Sequence, residues 1–290
     1  MNRRPAVSVL LVSLTLAGCA SLKPDPPGCP TDARVADSAR RFAALEVEPN
    51  PSETMTIEAA VCARDKLVRA LTSTQGRVVG YKAGLTNPAV QKRFGWDAPV
   101  RGALFERGMV SDGAEVPARF GARPIYEADL VAEIGSGAIH DAKTPAQVLA
   151  ALRSIRPFIE LPDQVVQDPS KLNGPGITSI NVGARGGVLG APLAVSDPRL
   201  ADALRDMTVR VVDGNGKELA QAKGSAILGH PLNAVIWLAE DLRKAGIVLK
   251  PGDLLSLGSF SLPMQPQPGQ TVRVIYDGLP GNPSVSVRFR

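Results

Sequence analysis

Aromatic side chains make up only 4% of this 290-residue chain, too few for a platform that stacks bases or sugars. No cluster of lysine and arginine stands out, so a sequence pI of 9.3 does not point to nucleic acid as a partner. The chain lacks a G-x-S-x-G nucleophile elbow. Its one glycine-rich run, Gly183-Ala184-Arg185-Gly186-Gly187, has neither the P-loop lysine nor a strand-turn-helix context, so it is not a phosphate cradle. Internal repeats are absent. Histidine occurs twice: His230 stands where a helix begins and its imidazole can cap, and His140 sits in a turn. What the chain does have is 44% hydrophobic residues, enough for a real core and too many for disorder. Its length suits one large domain or two modest ones.

Cysteine is scarce as well, with three in all. The first belongs to a targeting signal. Arg3-Arg4 precede an apolar run from Ala6 to Leu16, too short for a comfortable membrane span, and Leu16-Ala17-Gly18-Cys19 follows. That order resembles the bacterial lipoprotein box, which implies acylation of Cys19, a membrane anchor through the N-terminal lipid, and export. Ala20 after the cysteine favours the outer membrane, facing the periplasm. Removing Arg3 and Arg4 from the 33 basic residues leaves 31 against 28 acidic ones, a balance of +3. Cys29 and Cys62 remain; in an exported protein they either pair or stay as two thiols, one of them on a helix.

The chain divides into a signal peptide (1–18), an acylated cysteine with a proline-rich tether (19–35), a helix-rich region (36–105) and a larger metal-binding catalytic domain (106–290). Helices are expected at Ala36–Leu45, from Thr56 to about Leu71, and from Pro231 to Ala245 before Gly246. Thr144-Pro145 opens another that continues through Leu152 and Ile155, and Asp197-Pro198 repeats the device. Strands are expected at Val78–Tyr81, Ile125–Val131, Pro157–Glu160, Met207–Val212, Val272–Tyr276 and Ser284–Phe289, with a hairpin turn at Asp213-Gly214-Asn215-Gly216. Strands and helices without regular βαβ alternation read as α+β.

Three acidic residues stand out. Glu127 and Asp129 lie two apart on a strand and so share a face; Glu160 ends the short apolar run Pro157-Phe158-Ile159-Glu160. From spacing alone the pair reads as the wet face of an antiparallel strand. The alternative is a metal site: three converging carboxylates repel and raise one another's pKa, and a hard divalent cation such as Mg²⁺ or Mn²⁺ removes that penalty.

Several segments then line up with one family. Gly80-Tyr81-Lys82-Ala83-Gly84-Leu85-Thr86, Phe94-Gly95-Trp96-Asp97-Ala98-Pro99, Glu127-x-Asp129, Pro157 to Asp163, the stretch from Asn181 to Gly190, Leu228-Gly229-His230-Pro231 with Ala234-Val235-x-Trp237-Leu238-Ala239, and Gly258-Ser259-Phe260-Ser261 resemble, in order, the 2-keto-4-pentenoate hydratases of the fumarylacetoacetate hydrolase superfamily. The resemblance implies a strongly curved mixed β-sheet roll, a homo-oligomer and a hydratase-like lyase acting on 2-keto (dienoic) acids. It implies that Glu127, Asp129 and Glu160 bind Mg²⁺ or Mn²⁺. Lys82 then holds the substrate carboxylate or moves a proton, and Asn181, Ser259 and Ser261 bind substrate. Chelation of a keto acid stabilises the enolate formed in proton transfer. Decarboxylation or C–C hydrolysis on the same scaffold, or keto-acid binding without turnover, are the alternatives. The sequence departs from the family pattern at three places: Asp129 replaces the second Glu, Ile180 stands where an acid precedes the Asn, and Val100 stands where hydratases carry Asp and the decarboxylase branch tolerates Val.

Overall fold

The computed structural model describes residues 24–290, so Cys19 and the signal segment lie outside the described residues. Among the described residues twelve strands are formed: β1 (Val78–Gly84), β2 (Val100–Phe105), β3 (Met109–Ser111), β4 (Ala114–Val116), β5 (Glu127–Ile134), β6 (Leu152–Leu161), β7 (Gly186–Leu189), β8 (Thr208–Asp213), β9 (Glu218–Lys223), β10 (Leu254–Ser256), β11 (Thr271–Asp277) and β12 (Ser284–Phe289). The helices are α1 (Asp32–Ala44), α2 (Ile57–Gln75), α3 (Pro88–Arg93), α4 (Pro145–Ala151), α5 (Gly174–Ser179), α6 (Leu200–Asp206) and α7 (Pro231–Lys244). The class is α+β, as the irregular alternation implied.

Seven strands form a mixed sheet in the order β2-β1-β10-β5-β6-β7-β3, and five form a second sheet in the order β4-β12-β11-β8-β9. β1 and β2, from the helix-rich N-terminal region, thus belong to the same sheet as β5 and β6. The main core holds Leu130, Ile155 and Ile159 of the first sheet with Val272, Val274 and Phe289 of the second, and the apolar stripe Leu232, Val235, Leu238 and Leu242 of α7. α7 is the helix read most directly from the sequence. His230 Nδ1 accepts from Leu232 N at 3.0 Å, Pro231 occupies the first turn, and Gly246 takes φ +72° beyond the end.

Two expectations need correction, and an open alternative is resolved. α4 stops at Ala151, and Leu152 and Ile155 belong to β6. There the run pairs with β5 from Glu127↔Glu160 to Ile134↔Leu152, so sheet pairing overrides the helical spacing of a few leucines. α1 starts four residues earlier than expected, because Thr31 accepts from Arg34 N at 3.3 Å and caps it. The cysteines pair: Cys29 is disulfide-bonded to Cys62 with Cα atoms 5.7 Å apart. This fixes the end of the tether to α2, and Lys66 adds an ion pair to Asp25 at 2.6 Å.

One contact reports the curvature of the large sheet. Lys82 on β1 and Glu160 on β6 form an ion pair, although β10 and β5 lie between their strands. Three strand spacings in a flat sheet are about 14 Å. The sheet therefore rolls up so that its β1 and β6 portions face one another across a hollow.

Candidate active site

A cavity of about 230 Å³ occupies that hollow. Lys82, Glu127, Glu160, Asp163, Ser259 and Ser261 line it together with Thr86, Asn87, Arg93 and Gln164; Leu85, Val90, Phe94, Ile125, Ile177 and Val182 supply much of its apolar wall. Glu127 and Glu160 are direct cross-strand partners, which holds their side chains side by side. Lys82 is 4% and Glu160 2% exposed. The Lys82 ammonium is bonded to Glu160 and donates to the Val182 carbonyl at 3.1 Å. Two of its three N–H groups are thus fixed, and one remains for a ligand.

The Glu127 carboxyl accepts no hydrogen bond among the described residues. Burial first, and the neighbouring Glu160 second, push its carboxyl up to about 8, against the opposing pull of Lys82. A half-buried carboxyl without a donor, beside a second carboxylate and open to a cavity, is an arrangement that a hard divalent cation would complete. Mg²⁺ is commonly held by one or two carboxylates, with water or substrate filling its other positions. Glu127 and Glu160 fit that pattern.

Asp129 does not fit it. Its Oδ1 accepts from Leu130 N at 2.6 Å, Leu257 N at 3.1 Å and Gly258 N at 3.0 Å, while Oδ2 accepts from the Ser256 hydroxyl. It is fully buried and does not line the cavity. Among the described residues, Glu127, Asp129 and Glu160 do not bring one carboxylate oxygen each within 4.8 Å of one another. The structure brings Glu127 and Glu160 together and leaves Asp129 out of the group. The physical reason is reach: the arm of Asp is one methylene shorter than that of Glu, and its carboxylate stays in a nest of backbone N–H groups beside β10. From there it fixes the segment that carries Ser259 and Ser261.

Both serines line the cavity. Ser259 is committed to a local turn, its hydroxyl donating to Ser261 O at 2.6 Å. The Ser261 hydroxyl accepts from Ala128 N at 3.1 Å, which leaves its own proton free to donate inward. Asn181 also lies apart from the cavity. It is 1% exposed and does not line the cavity; its side chain grips the main chain of Ala103, with Oδ1 accepting at 2.7 Å and Nδ2 donating at 3.0 Å. His230 and His140 also lie away from the cavity, and the Nε2 of each meets a backbone carbonyl, that of Ala201 at 2.9 Å and of Leu249 at 3.1 Å.

Two participants had no role in the sequence reading. Asp163 accepts from Ala122 N at 3.0 Å and Arg123 N at 2.7 Å and pairs with Arg185 at 3.2 Å, so it holds the segment leading into β5. An added Cβ on Gly121 would meet its carboxyl carbon at 2.5 Å. The only sequence signal was its place after Pro162 in the Glu160 segment. The Val182 carbonyl is a main-chain group, for which side-chain patterns give no signal.

Comparison with known proteins adds relatives to this geometry. No family model matches the chain. The 2-keto-4-pentenoate hydratase 1 of Dechloromonas aromatica is 31% identical over 231 residues, covering 78% of this chain and 84% of that protein. Among solved structures, the 4-oxalocrotonate decarboxylase of Pseudomonas putida G7, complexed with magnesium and adipate, superposes with a TM-score of 0.76 at 24% identity, covering 90% of this chain and 98% of that one. The fumarylpyruvate hydrolase of Pseudomonas aeruginosa, in complex with Mn²⁺ and pyruvate, does so with a TM-score of 0.54 at 17% identity, covering 72% and 88%. The curved mixed sheet is thus a fold already known from these structures.

Proposed function

The chain belongs to the 2-keto-4-pentenoate hydratase family, and on that premise we propose that it is a divalent-metal-dependent lyase acting on 2-keto acids. The observation that carries this reading is the cross-strand pair Glu127–Glu160, with Lys82 set against it in the wall of a largely apolar cavity. Glu127 and Glu160 would hold Mg²⁺ or Mn²⁺. Such an ion, when bound, polarises a keto oxygen and favours the enol form of the acid. The chain's own groups do the rest. Lys82 presents its remaining N–H to the acid's carboxylate or enol oxygen, where an ammonium in a water-poor site stabilises developing negative charge. Ser261 offers a hydroxyl proton beside it. The apolar wall of the cavity takes the hydrocarbon tail and excludes water.

A second reading, decarboxylation, has one observation in its favour. Val100, where hydratases carry Asp, is 4% exposed and packs into an apolar cluster with Leu85, Ile177 and Val182. No carboxylate stands there to deliver water to a double bond.

Export as a lipid-anchored protein, through Cys19 and facing the periplasm, is the accompanying proposal. It is supported by the ordered signal of charge, apolar run and cysteine. A disulfide between Cys29 and Cys62 is likewise the bond expected of an oxidising compartment. Assembly as a homo-oligomer is proposed on family resemblance.

The test is a thermal melt of the metal-free protein with Mn²⁺, then with Mn²⁺ and oxalate, followed by a panel of 2-hydroxydienoic and 2-keto acids. The melting temperature should rise in two steps, and turnover should require the metal. Release of CO₂ separates decarboxylation from hydration. A wild-type protein whose melting temperature ignores Mn²⁺ would end the reading.

A further inference from the structure

Three consecutive residues beside the cavity, Asn181, Val182 and Gly183, all hold left-handed backbone conformations, with φ of 56°, 53° and 64°. For a β-branched residue such as Val182 this is a genuine outlier. It persists only where surrounding contacts over-determine it, and those contacts can be named. The Asn181 side chain grips both the N–H and the carbonyl of Ala103 on β2. Asp163 N donates to Gly183 O at 2.8 Å, closing the other end. Two glycines make room for the turn: an added Cβ on Gly102 would meet Asn181 O at 2.6 Å, and one on Gly84 would meet Val182 Cγ1 at 2.5 Å. The product of this construction is one polar group delivered to the cavity, the Val182 carbonyl at 3.1 Å from Lys82 Nζ.

Taking the site to be the keto-acid site proposed above, on which this rests, we propose that Asn181 is a positioning residue for Lys82. By clamping Ala103 it locks the 181–183 turn, and the turn's carbonyl, together with Glu160, fixes two of the three ammonium N–H groups so that the third points at the bound acid. Gly102 pairs with Lys82 across β1 and β2, so the clamp and its target share one strand pair. Asn181 itself touches no substrate.

The test is a double-mutant cycle read by calorimetric binding of oxalate to the Mn²⁺-loaded protein. Asn181→Ala should weaken oxalate about tenfold or more, with Mn²⁺ affinity within about threefold of wild type. In a Lys82→Met background, the same change should alter oxalate affinity less than twofold, because the group it positions is gone. An equal loss in both backgrounds would mean a general structural role and would overturn the proposal, as would no loss beside an intact Lys82. If Asn181→Ala does not fold, Gly84→Ala, whose added Cβ would meet Val182 Cγ1 at 2.5 Å and displace the same turn, makes the same comparison with the same two outcomes. Failure of the keto-acid reading looks different: the wild type itself would bind neither Mn²⁺ nor oxalate.

Discussion

Replacing Lys82 with methionine tests the electrostatics of the site before any catalysis is measured. Lys82 and Glu160 form a pair buried to 4% and 2% exposure, and Glu127 is a second acidic group beside it. Removing one partner of a buried pair costs about 3–5 kcal/mol, because the other charge is left without compensation. At about 2.1 cal/mol/K per residue, a chain of this size has an unfolding entropy of about 0.6 kcal/mol/K. The metal-free Lys82→Met protein should therefore melt about 5–8 °C below wild type. Adding Glu160→Gln should recover part of that loss, since the stranded charge goes too. Mn²⁺ affinity should move the other way and rise, because the ammonium that repels the ion is gone, while oxalate affinity should fall. Calorimetry with differential scanning fluorimetry measures all four quantities. A single mutant that melts with wild type in the absence of metal would refute the buried pair, and with it the account of why Lys82 faces the cavity.

The remaining predictions concern the rest of the site and the tether. Glu160→Gln should abolish Mn²⁺ binding and leave the circular dichroism spectrum unchanged; retained affinity would remove Glu160 from the metal pair. Since burial holds Glu127 at about 8, a divalent ion must displace its proton below that pH. Apparent Mn²⁺ affinity should then rise about tenfold per unit between about pH 6 and 8 and level off above, and a flat profile would contradict an orphaned Glu127. The sign for folding is opposite: this carboxyl is ionised in the unfolded chain and protonated in the folded one, so metal-free stability should fall as pH rises from about 4.5 through 8. Reducing the Cys29–Cys62 bond, which closes a 33-residue separation, should remove about 4 kcal/mol in the chain-entropy model and lower the melting temperature by about 7 °C, with oxalate affinity unchanged.

What could be read from the chain follows from the range of the interactions involved. α7 was legible nearly to the residue because its signals are local: a capping histidine, proline in the first turn and leucines at helical spacing. The identity of β5 was legible because Glu127 and Asp129 sit in an apolar run. The end of α4 was not, because nothing within Thr144–Ile155 reveals that β5 waits to pair with its second half. The same limit governs the site. Glu127, Glu160 and Lys82 were found from residue type and motif, but that Lys82 meets Glu160 depends on a sheet that curls over three strand spacings.

Asp129 and Asn181 show a different limit, since both were expected to face a ligand and both instead hold backbone. A polar side chain that organises main chain leaves the same trace in a sequence as one that binds substrate. What separates them here is the count of donors and acceptors. Asp129 meets three N–H groups and a hydroxyl, which fills its four acceptor sites, and Asn181 spends one acceptor and one donor on the main chain of Ala103 and lies outside the cavity. Glu127 is the reverse case, a carboxyl with no hydrogen-bond partner among the described residues and a cavity in front of it. Even half-buried, an unpartnered carboxyl set against a second carboxylate is unfavourable in a folded chain, and its persistence beside Glu160 is accounted for when something from outside the chain, carrying positive charge, completes it.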